Sequence, residues 1–92
     1  MKLRELFNGT NYNTSIELNT EYHLYIELLN DMGNQTTKLN NDTIVMVELC
    51  DSCGNSWLYT ETIITLDTQI EELIAIGNKG IKTLLEEEYT GL

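Results

Sequence analysis

The repeat period of the hydrophobic residues changes once along this 92-residue chain, at Thr68. Before Thr68, apolar residues alternate with polar ones or form short β-branched runs, which is typical of strands. After it, they recur every three to four residues, which is typical of an amphipathic helix. The sequence therefore predicts an α+β fold, in which a small antiparallel sheet of three to five strands is followed by two C-terminal helices packed on one face.

The β-rich part of the chain spans residues 10–66, and a short helix or a first strand precedes it at residues 3–7. Its strand candidates are residues 15–19, 21–29, 43–49 and 56–66. The third candidate is apolar and β-branched on both of its faces, so we expect a central strand that is buried on both sides, with Val47 in the core. A turn at residues 51–55 joins it to the fourth candidate and makes a hairpin.

The helical tail spans residues 67–91. Thr68 and Glu71 have the spacing of a capping box, which satisfies unpaired amides in the first turn of a helix. Gly77 suits a left-handed helix end, and Asn78 suits the cap of a new helix. The tail therefore predicts two helices with a break between these two residues.

The composition indicates one strongly acidic domain that spans residues 1–92. Fifteen Asp and Glu against five Lys and Arg leave a net charge of −10, while 41% of the residues are hydrophobic, enough for one modest core. Direct binding to nucleic acid is disfavoured, because phosphate contacts require a basic surface. No apolar run is long enough to span a membrane and no secretory signal is evident, so we expect a cytoplasmic protein, in a host cell if a phage encodes it.

The pair Cys50 and Cys53 has the spacing of a zinc knuckle. A tetrahedral site needs four ligands, and His23 is the one further soft donor in the chain. Catalytic Cys-x-x-Cys pairs normally precede a helix, whereas this pair precedes a predicted strand. We therefore expect two reduced thiols, with a metal site as the alternative. His23 has no Ser or Cys at a spacing that suggests a triad, so we expect neither an enzyme nor a cofactor.

Two groups of carboxylates on the predicted helices are the candidate partner-binding residues. They are Glu71, Glu72, Glu86, Glu87 and Glu88. A solvated surface that keeps the protein soluble is the simpler interpretation of either group. A net charge of −10 exceeds that need, however, and attracts basic surfaces.

In size, charge, single-domain organisation and Asn- and Thr-rich composition, the chain resembles the small acidic proteins that phages and mobile elements encode to block host defences. These include anti-CRISPR proteins and DNA-mimic anti-restriction proteins. The resemblance implies a non-enzymatic inhibitor that binds a basic nucleic-acid-handling protein, such as a host-defence nuclease, and it leaves a homodimer open. The alternatives are an immunity protein that neutralises a basic toxin, another acidic interaction protein and a zinc-stabilised module. An apolar interface through Trp57, Tyr59 or Tyr25 is the further option for contact.

Overall fold

Four strands form one antiparallel sheet whose spatial order follows the chain. The computed structural model describes residues 1–59 and 64–90, with the backbone alone for residues 87–90. A 3-10 helix at Leu3–Leu6 precedes the strands β1 (Asn13–Glu17), β2 (Tyr22–Leu29), β3 (Ile44–Asp51) and β4 (Ser56–Leu58), and the helix α1 (Ile70–Thr90) follows them. The predicted α+β class is confirmed, and among the described helices none is both long and apolar enough to cross a membrane.

The core lies between one face of the sheet and α1. Because side chains alternate along a strand, Leu24, Ile26 and Leu28 of β2 share this face, and all three are fully buried. The register places Leu24 opposite Leu49 and Ile26 opposite Val47 on β3. The apolar set of the two central strands thus enters one contiguous core.

The expectation that β3 is buried on both sides is wrong. Val47 is buried, with 2% of its surface exposed, but Ile44 on the opposite face is 50% exposed. Helix α1 packs on the side of the sheet that carries Leu24 and Leu49. Gly77 of the helix lies next to Leu24, and Gly80 lies next to Leu49. The other side carries Ile44, Met46 and Glu48 of β3 together with their register partners, and we call it the outer sheet face.

The prediction of two helices is also wrong, because α1 continues through Gly77 and Asn78 to Thr90. Neither glycine of this helix has a positive φ, so Gly77 does not form a left-handed cap. A Cβ atom at Gly77 would lie 2.7 Å from Leu18 Cδ1, and one at Gly80 would collide with the Tyr59 hydroxyl. The glycines therefore allow the helix to approach the sheet closely.

The start of α1 differs from the predicted capping box. The Thr68 hydroxyl accepts a hydrogen bond from the Thr65 amide at 2.9 Å, and the helix begins two residues later. The Ile70 amide donates to the Met1 carbonyl at 2.9 Å. The Met1 carbonyl thus accepts from an amide at the start of α1, a role that was expected of the Thr68 side chain.

Strand β4 is much shorter than the predicted strand at residues 56–66. It ends at Leu58, and Leu66 is buried in a turn that precedes α1. Part of the predicted strand, residues 60–63, lies outside the described residues. The Tyr59 amide still donates to the Val47 carbonyl at 3.0 Å, so the chain follows β3 for one residue beyond β4.

Candidate functional site

The predicted partner-binding carboxylates lie in two separate places on α1. Glu71 and Glu72 are exposed in its first turn, and Glu71 Oε1 is 3.8 Å from the terminal ammonium of Met1. Glu86 is exposed fourteen residues after Glu72, about 21 Å along the axis at 1.5 Å per residue. The side chains of Glu87 and Glu88 lie outside the described residues. The structure therefore does not bring the first cluster next to Glu86.

Two cations interrupt the acidic surface of α1. Lys79 and Lys82 are both exposed, and both lie between the two carboxylate clusters along the chain. Lys82 precedes Glu86 by one helical turn, the spacing at which opposite charges on a helix attract each other. The exposed side of the helix consequently has mixed charge.

The described strand residues of the outer sheet face, in contrast, include three glutamates and neither lysine nor arginine. Alternation and register place thirteen side chains on it: Asn13, Ser15, Glu17, His23, Tyr25, Glu27, Leu29, Ile44, Met46, Glu48, Cys50, Ser56 and Leu58. Among these residues, three are acidic and none is a lysine or an arginine. Sequence reasoning missed this surface, although the alternation of Glu27 and Glu48 with core residues is visible in the strands.

The centre of the outer sheet face combines acid with apolar surface. Tyr25 lies opposite Glu48, and Glu48 lies opposite Leu58, so these three side chains form one row across β2, β3 and β4. Leu58 is 53% exposed, while Tyr25 and Glu48 are half-buried by their neighbours. The Tyr25 hydroxyl accepts a hydrogen bond from Asn13 Nδ2 at 3.2 Å, which orients the ring. A carboxylate thus stands between an aromatic ring and an aliphatic side chain.

Two of the proposed metal donors also lie on this face. His23 and Cys50 are register partners, whereas Cys53 is exposed in the turn that follows β3. Among the described residues, no group of three or more His, Cys, Asp or Glu side chains is arranged to hold a metal ion. Burial, followed by the negative charges of Glu48 and Asp51, raises the pKa of the Cys50 thiol. This environment disfavours the thiolate that metal binding and redox chemistry require.

The Cys-x-x-Cys segment forms a turn organised by Asp51. The carboxylate oxygen Oδ1 of Asp51 accepts hydrogen bonds from the amides of Cys53 at 2.9 Å and Asn55 at 2.8 Å. The side chain of Asn55 donates to Oδ2, and this bond is the main reason that the pKa of Asp51 is lowered. Gly54, with φ of 91°, completes the turn in the left-handed region. The spacing of the two cysteines is thus accounted for by a β3–β4 turn.

A shallow cavity of about 290 Å³ lies at the end of the sheet near this turn. Its lining includes the acidic residues Glu17, Glu21 and Asp51, together with His23. Glu17 and His23 also belong to the outer sheet face, so the acidic surface continues beyond the strands.

Comparison with protein families, with curated proteins and with solved structures finds no match to this chain.

Proposed function

We propose that this chain is a non-enzymatic inhibitor that binds a basic nucleic-acid-handling protein, such as a host-defence nuclease. The observation that supports this proposal best is the placement of its acid. Among the described residues, no charged or polar side chain is buried, so the carboxylates face solvent. The net charge of −10 is presented on a surface of 6218 Å².

The few cations of the chain do little to reduce this field. Lys2 Nζ and Arg4 Nη2 lie 3.7 and 2.9 Å from Asp67 Oδ1, so both cations are grouped with acid at the N-terminal end of α1. The other three are exposed, with Lys38 in the connection between β2 and β3, and with Lys79 and Lys82 about one turn apart on α1. A partner with a positive surface therefore experiences attraction over much of the molecule, which speeds its association.

The proposed mechanism is occupation of a phosphate-binding surface. Surface carboxylates take the positions that nucleic-acid phosphates would take and contact the same lysine and arginine side chains of the partner. Inhibition then requires no chemistry on the partner, because nucleic acid is excluded while the acidic protein remains bound. Binding of this protein and of nucleic acid should be mutually exclusive.

The partner is first identified by affinity capture from a host lysate and mass spectrometry of the bound proteins, and it is then purified. The association rate is then measured as the ionic strength rises from about 0.01 M to 0.15 M, over which the Debye length shrinks from about 30 Å to 8 Å. We expect a steep fall in the rate and competition with the partner's own nucleic acid. A salt-independent rate, or a complex that forms equally well on nucleic-acid-bound partner, would refute the proposal. A toxin as the purified partner would favour the immunity-protein alternative.

A further inference from the structure

We infer that the outer sheet face is the contact surface for the basic partner, and that it takes an arginine-rich surface of that protein. This inference depends on the proposed function. It adds the location of the contact surface on this chain and the chemistry of the partner's groups that the surface recognises. The helix carboxylates Glu71, Glu72 and Glu86 then contribute to long-range attraction without lying in the interface.

The charge pattern separates the two surfaces. Glu17, Glu27 and Glu48 are the charged residues of the outer sheet face, and all three are acidic. On α1, exposed Lys79 and Lys82 lie between the carboxylates and would repel the cations of a basic partner. Like charges placed against each other in an interface are costly, so the all-acidic face is the better match.

The apolar groups of the outer sheet face suit arginine better than lysine. An arginine side chain can place its planar guanidinium against a tyrosine ring, donate two hydrogen bonds to one carboxylate and cover an aliphatic neighbour with its methylene groups. The row formed by Tyr25, Glu48 and Leu58 offers these three elements on adjacent strands, which lie about 5 Å apart. Ile44 and Leu58, each about half exposed, provide apolar surface whose burial would stabilise the complex.

A second copy of the chain fits this surface poorly. Two outer sheet faces packed together would bring six carboxylates into one interface, with no lysine or arginine from either face to compensate them. Desolvating unpaired carboxylates costs several kcal/mol each. The same apolar area is therefore available to a cationic partner and blocked to self-association.

The test uses the full chain, isotope-labelled for NMR, and two synthetic peptides as probes. One peptide alternates arginine with leucine, and the other alternates arginine with serine at equal length and charge. We expect the arginine–leucine peptide to bind more tightly and to shift the amide signals of β2, β3 and β4. The double variant Glu27→Gln/Glu48→Gln should weaken its binding about fivefold, which corresponds to about 1 kcal/mol for the two exposed ion pairs together.

The variant Glu71→Gln/Glu72→Gln is the matched control, because it removes the same charge from α1. We expect its dissociation constant for the arginine–leucine peptide to change less than about twofold. Equal losses in the two double variants, or signal shifts confined to α1, would overturn the inference and leave the proposed function standing. Failure of the proposed function would instead appear with the purified partner, as salt-independent or non-competitive binding. Ile44→Thr/Leu58→Thr retains residues suited to strands and should reduce the leucine peptide to the affinity of the serine peptide.

Discussion

Replacing Asn78 with alanine should stabilise the protein. Asn78 is exposed inside α1, between Gly77 and Gly80. In the interior of a helix, alanine is more favourable than asparagine by about 0.5 kcal/mol, because asparagine side chains compete for backbone hydrogen bonds. For a domain of this size, that gain corresponds to a rise of about 2–4 °C in the melting temperature.

A chain with two helices would respond with the opposite sign. If Asn78 capped a second helix, its replacement by alanine would cost about 1 kcal/mol and lower the melting temperature by about 4–8 °C. The sign of the change in melting temperature therefore distinguishes one helix from two. Thermal unfolding followed by circular dichroism, together with urea titration at constant pH and salt, measures it.

Thr83→Ala provides the matched control for this measurement. Thr83 is exposed five residues further along α1, and its hydroxyl donates to the Lys79 carbonyl at 3.0 Å, a bond that adds little to helix stability. It is helical with either one helix or two, so its replacement should be stabilising in both cases. A stabilised Thr83→Ala variant beside a destabilised Asn78→Ala variant would refute the continuous helix.

Three further predictions concern the core and the titratable groups. Val47→Asp places a charge at a position that is 2% exposed and should abolish cooperative unfolding. The free-energy cost of burying this charge approaches the whole stability of about 5–14 kcal/mol expected for 92 residues. A melting temperature close to that of wild type would contradict this prediction. Cys50→Ser/Cys53→Ser should shift the free energy of unfolding by about 1 kcal/mol or less, and a chelator should leave wild-type stability unchanged. Stoichiometric zinc in the wild-type protein, lost together with the fold in the double variant, would instead indicate a metal site. Burial raises the pKa of Tyr59 above its usual value of 10.0, so its stabilising contribution is present below that pH and is lost as the pH rises through the folded-state pKa. Tyr59→Phe should therefore flatten the alkaline decline of the urea midpoint, and an unchanged decline would show that this hydroxyl does not cause it.

The strand patterns predicted the two central strands well, whereas the glycines of α1 led to a wrong prediction of two helices. Strand β2 begins within one residue of its predicted position, because burial of one face fixes which residues must alternate. Strand β3, which was predicted from a β-branched apolar run, also begins within one residue. Gly77 satisfies the local requirement for a helix end, but it equally satisfies the requirement for close packing on a sheet. The positions of Leu18 and Leu24 against the helix distinguish the two, and these contacts join residues far apart in the chain.

The candidate site likewise depends on contacts between residues far apart in the chain, which local sequence patterns do not show. Consecutive glutamates such as Glu71 and Glu72 are visible in any reading of the chain, so sequence reasoning assigned partner binding to the helices. Both faces of β3 are apolar in sequence, and nothing local says which of them the helix covers. Once α1 is known to pack over Leu24 and Leu49, the residues on the opposite side of the sheet become surface, and the carboxylates among them become available for contact.

One helix layer on one side of the sheet explains why apolar and acidic side chains share the outer sheet face. Exposed Ile44 and Leu58 would by themselves favour association between copies through the hydrophobic effect. Glu27 and Glu48 lie among them on neighbouring strands, so any copy that buries the apolar groups must also desolvate like charges. An arginine-rich partner removes this penalty by pairing the carboxylates as it covers the apolar groups. If the proposed function holds, these two glutamates oppose self-association and select a basic partner, so neutralising them should weaken that partner's binding and increase self-association.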